Sequence, residues 1–256
     1  MSSTVREWLA ESKKRGMDLS LERVHATHQA LLQESYQATI LHIAGSNGKG
    51  TLCATLAAHL DALGYSTVMF TSPHLVRIEE RIRVGGRPID ARLFDELLLK
   101  IQDVESLLKV ELTYFEITFL VACLCAQHNK VDFFIVETGL GGRYDATRIL
   151  PADVCVLTSL SLEHRDILGD TLAEIAAEKA AIARPGKALI VRKIQDSEAM
   201  AAIETEARNA GRVELGETKQ RAFLEWVDVS EDTSVSNEAF LLAKTTLESL
   251  GIDADE

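Results

Sequence analysis

The stretch Ile43-Ala-Gly-Ser-Asn-Gly-Lys-Gly-Thr51 decides how the rest of the chain is interpreted. It lies between a strand-like apolar run, 38–44, and a helix-like run, 52–63. A glycine-rich turn between a strand and a helix directs backbone N–H groups at one point, where the helix dipole also favours an anion. Lys49 adds a positive charge, and the Thr51 hydroxyl can bind the Mg²⁺ that accompanies nucleotide phosphates. The stretch therefore predicts a phosphate-binding loop for ATP.

The spacing of this loop departs from the strict nucleotide-binding pattern G-x-x-x-x-G-K-[ST]. The chain has Gly45-x-x-Gly48-Lys49-Gly50-Thr51, with an extra glycine after the lysine, so an ordinary turn is the alternative. The strand before the loop and the helix after it favour phosphate binding. The residues predicted to bind the nucleotide here are Gly45, Ser46, Asn47, Gly48, Lys49, Gly50 and Thr51.

Composition indicates a globular protein and excludes several classes. The chain has 256 residues, 46% of them hydrophobic, and a net charge of −12, which argues against nonspecific nucleic-acid binding. It has neither an apolar run of the ~20 residues that a membrane helix needs nor the apolar core of a signal peptide. The expected location is cytoplasmic, with no membrane partner. The cysteines form no C-x-x-C pair, so buried reduced thiols are expected at Cys53, Cys123, Cys125 and Cys155.

Strand and helix patterns alternate along most of the chain. Short apolar runs predict strands at 38–44, 66–70, 132–137, 154–158 and 188–192. Helical patterns separate most of them, at 52–63, 91–107, 118–128, 171–184 and 197–210. This alternation predicts an α/β fold of the P-loop type, with a doubly wound, mostly parallel sheet. Ligands in such sheets bind beyond the carboxyl ends of the strands.

The two ends of the chain follow a different pattern. Residues 1–36 are predicted to form an N-terminal helical cap, and 37–256 an ATP-binding central domain. After Gly211, the runs 212–215 and 222–229 predict a hairpin or edge pair. A turn at 234–236 and a helix at 237–250 are expected to follow.

Three polar residues stand where parallel strands end. Ser72 follows the second predicted strand, Glu137 closes the third, and His164 follows the fourth. An acid at such a position beside a phosphate loop commonly binds Mg²⁺. Taken singly, each residue also fits a structural role, as a turn residue, a cap or a loop histidine. Their shared position at the strand ends favours a common site.

Lys179 lies within an otherwise apolar helical face with Leu172, Ile175 and Ile182. A lysine in such a stripe must extend to solvent, pair with an acid or be chemically modified. The spacing alone favours extension to solvent.

Taken together, these residues resemble the folylpolyglutamate synthase/dihydrofolate synthase family, a branch of the Mur ligases. The resemblance is dense from about residue 5 to residue 193. Its blocks are Leu21-Glu-Arg23, Gly45 to Thr51, Thr71-Ser-Pro-His-Leu75, Glu80-Arg-Ile-Arg-Val-Gly-Gly86, Leu112-Thr-Tyr-Phe-Glu116, Glu137-Thr-Gly-Leu-Gly-Gly-Arg-Tyr-Asp-Ala-Thr147, His164 with Leu168-Gly169, and Glu178-Lys179-Ala180.

The resemblance implies an ATP-dependent ligase that phosphorylates a carboxylate and joins it to the amino group of glutamate. The implied substrates are dihydropteroate or a folate, together with glutamate, and the implied cofactors are ATP and Mg²⁺. The implied metal ligands are Thr51, Ser72, Glu137 and His164; the implied catalytic residues are Lys49, His164 and Lys179, the last as a carbamylated lysine. Phe115 and Asp145 match residues that contact the pterin, and Asn237 matches a nucleotide contact.

The chain also departs from the family pattern. Glu163 stands in place of Asp, Arg148 in place of Asn and Ala181 in place of Gly, and the segment 233–237 keeps only its Asn. The family has a further Rossmann-like C-terminal domain of roughly a hundred residues or more, and only six residues follow Leu250. We therefore expect that domain to be absent, which leaves two readings besides a working ligase. They are a catalytically impaired nucleotide-binding or regulatory protein, and one part of a split ligase whose partner chain supplies that domain.

Overall fold

One mixed sheet organises the protein. The structure, a computed structural model, describes residues 2–32, 35–211, 216–230 and 233–253. In these ranges the strand order is β4-β3-β2-β5-β1-β6-β7-β8. The β2–β3 and β3–β4 pairings are antiparallel, and the remaining pairings are parallel. The strands are β1 (Thr39–Ala44), β2 (Thr67–Phe70), β3 (Ile82–Val84), β4 (Arg87–Pro88), β5 (Phe133–Glu137), β6 (Val154–Leu157), β7 (Ala188–Arg192) and β8 (Phe223–Val227).

Helices cover both faces of this sheet. They are α1 (Ser2–Ser12), α2 (Glu22–Leu31), α3 (Lys49–Ala62), α4 (Ala91–Leu108), α5 (Tyr114–Asn129), α6 (Arg165–Leu168), α7 (Leu172–Ala180), α8 (Ser197–Arg208) and α9 (Val235–Glu248). Short 3-10 helices lie at Lys13–Arg15, Ile78–Arg81 and Ala146–Ile149. Among the residues described, no helix has both the length and the apolarity needed to cross a membrane.

Strand β1 illustrates how the core is divided between the two faces. Leu41 and Ile43 pack with α3 and α9, whereas Ile40 and Ala44 belong to a larger cluster with α4, α5, α7 and α8. Successive side chains of a strand point to opposite faces, so a strand buried on both sides is apolar throughout. This burial explains why the sequence of β1 is apolar from Ile40 to Ala44 except at His42, which is buried and lies 2.7 Å from the Thr147 hydroxyl.

The structure confirms the five predicted strands and the doubly wound, mostly parallel arrangement. It also corrects several boundaries. Helix α3 begins at Lys49, three positions before the predicted start, and α5 begins at Tyr114 because Thr113 and Glu116 form a capping box. Helix α7 ends at Ala180, before the proline, because the chain tightens into bonds from Ile182 N to Lys179 O and from Ala183 N to Ala180 O.

The C-terminal part also differs from the prediction. The run 222–229 contains β8, which pairs in parallel with β7 at one edge of the sheet. Its predicted partner, 212–215, lies outside the described residues. Helix α9 begins at Val235 with Ser234 as its N-cap, where a turn was predicted. At the other end, α1 and α2 pack in the same core cluster as α4 and α5, and a boundary near residue 36 remains a prediction.

Candidate functional site

The predicted phosphate loop leaves the carboxyl end of β1 and is held by the segment that follows β6. Ser46 N donates to Ser159 O at 2.8 Å, and Thr158 Oγ1 donates to Asn47 O at 2.7 Å. A Cβ at Gly45 would lie 1.9 Å from Thr158 Oγ1, so only glycine fits at this contact. The path of the loop is therefore set by a neighbouring strand end as well as by its own sequence.

The loop presents an uncapped helix N-terminus together with a lysine. Gly48 adopts a left-handed conformation with φ of 83° and precedes α3 without a side-chain cap. Helix N-terminal N–H groups without a cap favour an anionic partner. Lys49 Nζ donates to Gly45 O at 2.9 Å and to Ser46 O at 3.3 Å, so its charge stays over the loop. This arrangement fits a chain of phosphates.

Three of the predicted metal ligands line one cavity beside this loop. The cavity, called here the phosphate cavity, has a volume of about 590 Å³ and is lined by Thr51, Ser72 and Glu137 together with Gly48 and Gly50. Burial raises the pKa of Glu137 to about 6, although Ser72 N donates to its Oε2 at 3.1 Å. Loss of hydration destabilises this carboxylate, and the positive charges of Lys49 and Arg81 offset that loss only in part.

The donors around the phosphate cavity fit Mg²⁺ better than a softer metal. Within the described ranges, no group of three or more His, Cys, Asp or Glu side chains could hold a metal ion. The cavity instead offers one carboxylate and the hydroxyls of Thr51 and Ser72, which are hard oxygen donors. Because Mg²⁺ commonly keeps waters and phosphate oxygens among its ligands, three protein donors are sufficient.

Two predicted residues stand apart from this cluster. His164 precedes α6 in a left-handed conformation with φ of 43°, and its side chain is exposed and lines neither of the site's two cavities. Asn237 lies exposed in the first turn of α9 and donates its backbone N–H to Ser234 Oγ. Neither side chain lines a cavity of the site, and the roles predicted for the two residues stay predictions.

Lys179 is buried and paired with an acid, and the expectation that it extends to solvent is wrong. Its Nζ lies 2.7 Å from Glu163 Oε1 and donates to Gly45 O at 3.0 Å, with the residue only 1% exposed. Burial lowers the pKa of Lys179, and the ion pair with Glu163 opposes that shift. Burial would raise the pKa of Glu163, but the contact with Lys179 outweighs it and the net shift is downward. The pair joins α7 to the phosphate loop.

A second, larger cavity lies on the other side of Ser72. It measures about 870 Å³, which is within the range of small-molecule sites, and we call it the aromatic cavity. Phe115 and Asp145, both predicted to bind substrate, line it. The Phe115 ring packs 5.7 Å from that of Phe70, and a Cβ at Gly139 would lie 2.6 Å from the Phe115 ring. Ser72 and Pro73 line both cavities.

Asp145 is already engaged by its own loop. Its Oδ2 accepts from Gly139 N at 2.7 Å and Leu140 N at 2.9 Å, while its Oδ1 accepts from the backbone N–H and hydroxyl of Thr147. His42 Nε2 lies 2.7 Å from the same hydroxyl. Burial raises the pKa of Asp145, and these hydrogen bonds counteract the shift. The carboxylate thus shapes the cavity wall by fixing the segment 139–147.

Two of the motif blocks meet at the base of the aromatic cavity. Arg23 Nη2 lies 2.9 Å from Glu116 Oε1, and its Nε donates to Oε2 at 3.0 Å. Glu116 also accepts from Thr113 N at 2.6 Å as part of the capping box of α5. This ion pair, with one hydrogen bond through Nε, attaches α2 to the start of α5.

The sequence analysis overlooked a cationic group at the mouth of the aromatic cavity. Arg81 and Lys13 both line it, and both lie over the Tyr114 ring, at 5.3 Å and 4.9 Å from its centroid. Arg81 Nε donates to His74 Nδ1 at 2.9 Å. The available signal was the group of arginines around Gly85-Gly86, namely Arg81, Arg83 and Arg87. The first two belong to the motif block Glu80 to Gly86, which the sequence analysis uses only as part of the family resemblance.

Comparison with known proteins identifies the family of the chain. Residues 43–249 match the model of the Mur ligase middle domain. The dihydrofolate synthase/folylpolyglutamate synthase of Escherichia coli strain K12 is 36% identical over 254 residues, which cover 97% of this chain and 57% of that protein. This chain therefore spans little more than half the length of that relative.

Solved structures match over the same extent. E. coli FolC in complex with DHPP and ADP has a TM-score of 0.82 at 31% identity, covering 97% of this chain and 63% of that one. The bifunctional folylpolyglutamate synthase/dihydrofolate synthase of Yersinia pestis, complexed with AMPPNP and Mn ion, has a TM-score of 0.78 at 30% identity. That match covers 96% of this chain and 62% of the other.

Proposed function

The chain belongs to the Mur ligase family, and from that premise we propose that it is an ATP-dependent carboxylate–amine ligase of the folate type. The observation that carries the proposal is the meeting of two cavities at Ser72 and Pro73. One contains the phosphate loop, and the other is aromatic and large enough for a pterin-linked acid. A phosphate group in the first and a carboxylate in the second would face each other across Ser72.

The nucleotide side of the reaction would depend on the loop and α3. The first N–H groups of α3 would bind phosphate oxygens, and Lys49 would move from the carbonyl groups of Gly45 and Ser46 onto them. ADP in the E. coli structure and AMPPNP in the Y. pestis structure are nucleotides of the class that this arrangement would hold.

Glu137, Ser72 and Thr51 would hold Mg²⁺ beside the phosphates. When bound, this ion would shield the charge of the phosphate oxygens and polarise the bond to the group being transferred. It would also offset the burial that raises the pKa of Glu137. His164 would join these ligands only after a rearrangement of the segment before α6, since its side chain is exposed.

The acceptor would occupy the aromatic cavity with its ring system against Phe115. One oxygen of its carboxylate would attack the γ-phosphorus of ATP as the bond to ADP breaks, giving an acyl phosphate. The amine of glutamate would then attack the acyl carbon, lose a proton and expel phosphate, leaving an amide. Positioning and charge stabilisation are the principal contributions that a protein makes to such a transfer.

Lys179 would serve this site as a cation in its present pairing. A carbamate on Nζ would place a negative charge against Glu163 and the carbonyl of Gly45, which would both repel it, with only Lys49, among the described residues, nearby to attract it. Carbamylation, which the family resemblance implies, would therefore require Glu163 to turn away. Glu163 is partly exposed, so water could receive it.

The nucleotide assignment is tested by calorimetric titration of Mg·ADP into the protein and into Lys49→Ala. We expect the substitution to weaken binding at least tenfold, the effect of losing one charge-assisted contact worth about 1.5–3 kcal/mol. Lys187→Ala is the matched control. Lys187 lies at the amino end of β7, whereas the phosphate loop lies at the carboxyl ends of the strands, and Lys187 pairs with Asp153. Equal affinities for the protein and Lys49→Ala would refute the assignment.

Turnover is tested by phosphate release from Mg·ATP with dihydropteroate, with and without glutamate, with Lys49→Ala as the blank. Glutamate-dependent release accompanied by dihydrofolate would support the ligase. Nucleotide binding without release would instead favour a nucleotide-binding protein, or a ligase that needs residues outside this chain.

A further inference from the structure

Arg81 is a buried cation that has no direct ion pair among the described residues, and the carboxylate of Glu137 attracts it only from beyond ion-pair distance. It is 9% exposed, and within the described part of the chain no carboxylate forms an ion pair with it. Among the residues that the structure describes, its side chain makes one hydrogen bond, from Nε to His74 Nδ1. A buried charge is costly unless an anion pairs with it, and a guanidinium does not escape that cost by losing its proton.

The guanidinium of Arg81 is aimed at the aromatic cavity. Arg81 lines that cavity beside Ser72 and Tyr114, and its Cζ lies 5.3 Å from the Tyr114 ring centroid. The Nε atom is occupied by His74, so the two terminal nitrogens are the donors left for a ligand. Two parallel N–H donors form the fork that binds a carboxylate through both of its oxygens.

His74 holds this fork in place. Arginine can only donate hydrogen bonds, so His74 Nδ1 must accept and its ring proton must lie on Nε2. The Tyr114 ring covers the guanidinium, which restricts its rotation. An arginine oriented in this way by two neighbours loses little further freedom when an anion binds.

We propose that Arg81 binds the carboxylate of the acceptor acid through its two terminal nitrogens, and that His74 is the positioning residue that orients it. The proposal rests on the proposed function, because it assigns the place where the acid meets the phosphate. Arg81 and Ser72 line the same cavity, and Ser72 also lines the phosphate cavity, so an acid held by Arg81 would lie where the two cavities meet. Lys13, which is exposed, would contribute only long-range attraction.

The test compares two probes, pteroic acid and its primary carboxamide, in equilibrium binding followed by fluorescence without ATP. The two differ only in the charge and oxygen count of the group that Arg81 would bind. We expect the protein to prefer the acid by about tenfold or more, the usual strength of a bidentate charged contact. Arg81→Ala should bring the ratio near one while leaving the affinity for the carboxamide within about twofold, because the ring contacts remain.

The role of His74 is separated from general stability by a pair of variants. His74→Leu removes the acceptor for Arg81 Nε and should reduce the acid preference several-fold. His74→Asn offers an amide oxygen near the position of Nδ1 and should restore it. Lys13→Ala is the matched control among cations and should leave the preference largely intact at moderate salt.

The outcomes distinguish this proposal from the proposed function. An acid preference that survives in Arg81→Ala, with Mg·ADP and pteroic acid still bound, would overturn the carboxylate contact and leave the ligase standing. Equal loss in His74→Leu and His74→Asn would overturn the positioning role. If the unsubstituted protein binds neither probe, the aromatic cavity is not the acceptor site and both proposals fail.

Discussion

Removing the buried member of the Lys179–Glu163 pair should cost less stability than removing its partly exposed partner. The side chain of Lys179 is 2% exposed and that of Glu163 is 26% exposed. When one partner is removed, the energetic cost depends on whether the remaining charge can reach water. Glu163 can do so, whereas Lys179 cannot.

The expected magnitudes follow from this asymmetry. Glu163→Gln leaves Lys179 buried with Gly45 O and a neutral amide, and we expect a loss of about 2–4 kcal/mol, below the upper range for fully buried pairs because the amide still accepts a hydrogen bond. Lys179→Met keeps an unbranched side chain of similar length and leaves Gly45 O with the hydrogen bond from Lys49. Its expected cost is about 0–2 kcal/mol, below the usual cost of breaking a buried pair, because the remaining Glu163 carboxylate can reach water and methionine retains most of the packing.

Urea unfolding, monitored by circular dichroism, measures these free energies of unfolding. Glu11→Gln supplies the baseline, because Glu11 pairs with Lys14 on the surface, where both side chains are at least 70% exposed. A larger loss in Lys179→Met than in Glu163→Gln would refute the reasoning. Stabilisation by Glu163→Gln would indicate that Lys179 carries the carbamate, since the substitution would then relieve repulsion between two anions.

Two further predictions concern the loop and the thiols. Gly45→Ala should abolish Mg·ADP binding and lower the free energy of unfolding by well over about 1 kcal/mol, because its Cβ would clash with Thr158 and its φ is 146°. Gly64→Ala is the matched control, because Gly64 also has a positive φ of 85° but its added Cβ would meet no atom within 4 Å, so it carries the backbone strain without the clash. Normal binding by Gly45→Ala would contradict the contact with Thr158. Burial raises the pKa of Cys123 and of Cys125 to about 12, so both should resist a thiolate-selective reagent at pH 8. Labelling of these two residues in the native protein at pH 8, measured by mass spectrometry, would contradict this burial.

The parallel strands were predictable because each is buried on both faces. β1 and β5 form the centre of the sheet, and their burial leaves nearly continuous apolar runs that no surface strand would show. The hairpin of β3 and β4 escaped prediction because these strands are three and two residues long and partly exposed. Its Gly85-Gly86 turn, with both φ angles positive, was a local signal that we did not use.

Helix boundaries were less predictable because they depend on contacts from other parts of the chain. The start of α3 at Lys49 follows from glycines that the sequence analysis assigned to the loop. The end of α7 is fixed by tight turns and by Arg184, whose Nη2 donates to Arg148 O at 2.9 Å and whose Nε donates to Leu150 O. A pattern confined to one helix contains no information about such partners.

The site shows the same division between local and long-range information. The strand-end rule brought Ser72 and Glu137 to the phosphate loop, because the carboxyl ends of parallel strands share one edge. It could not specify that Lys179 would meet Glu163, since that contact depends on how α7 packs against the segment after β6. Arg81 is the same case, because its burial without a direct ion pair among the described residues is a property of the folded protein alone. The residues proposed to bind the nucleotide are therefore those that a sequence motif predicts best, whereas the residues proposed to orient the acceptor emerge only from the packing around them.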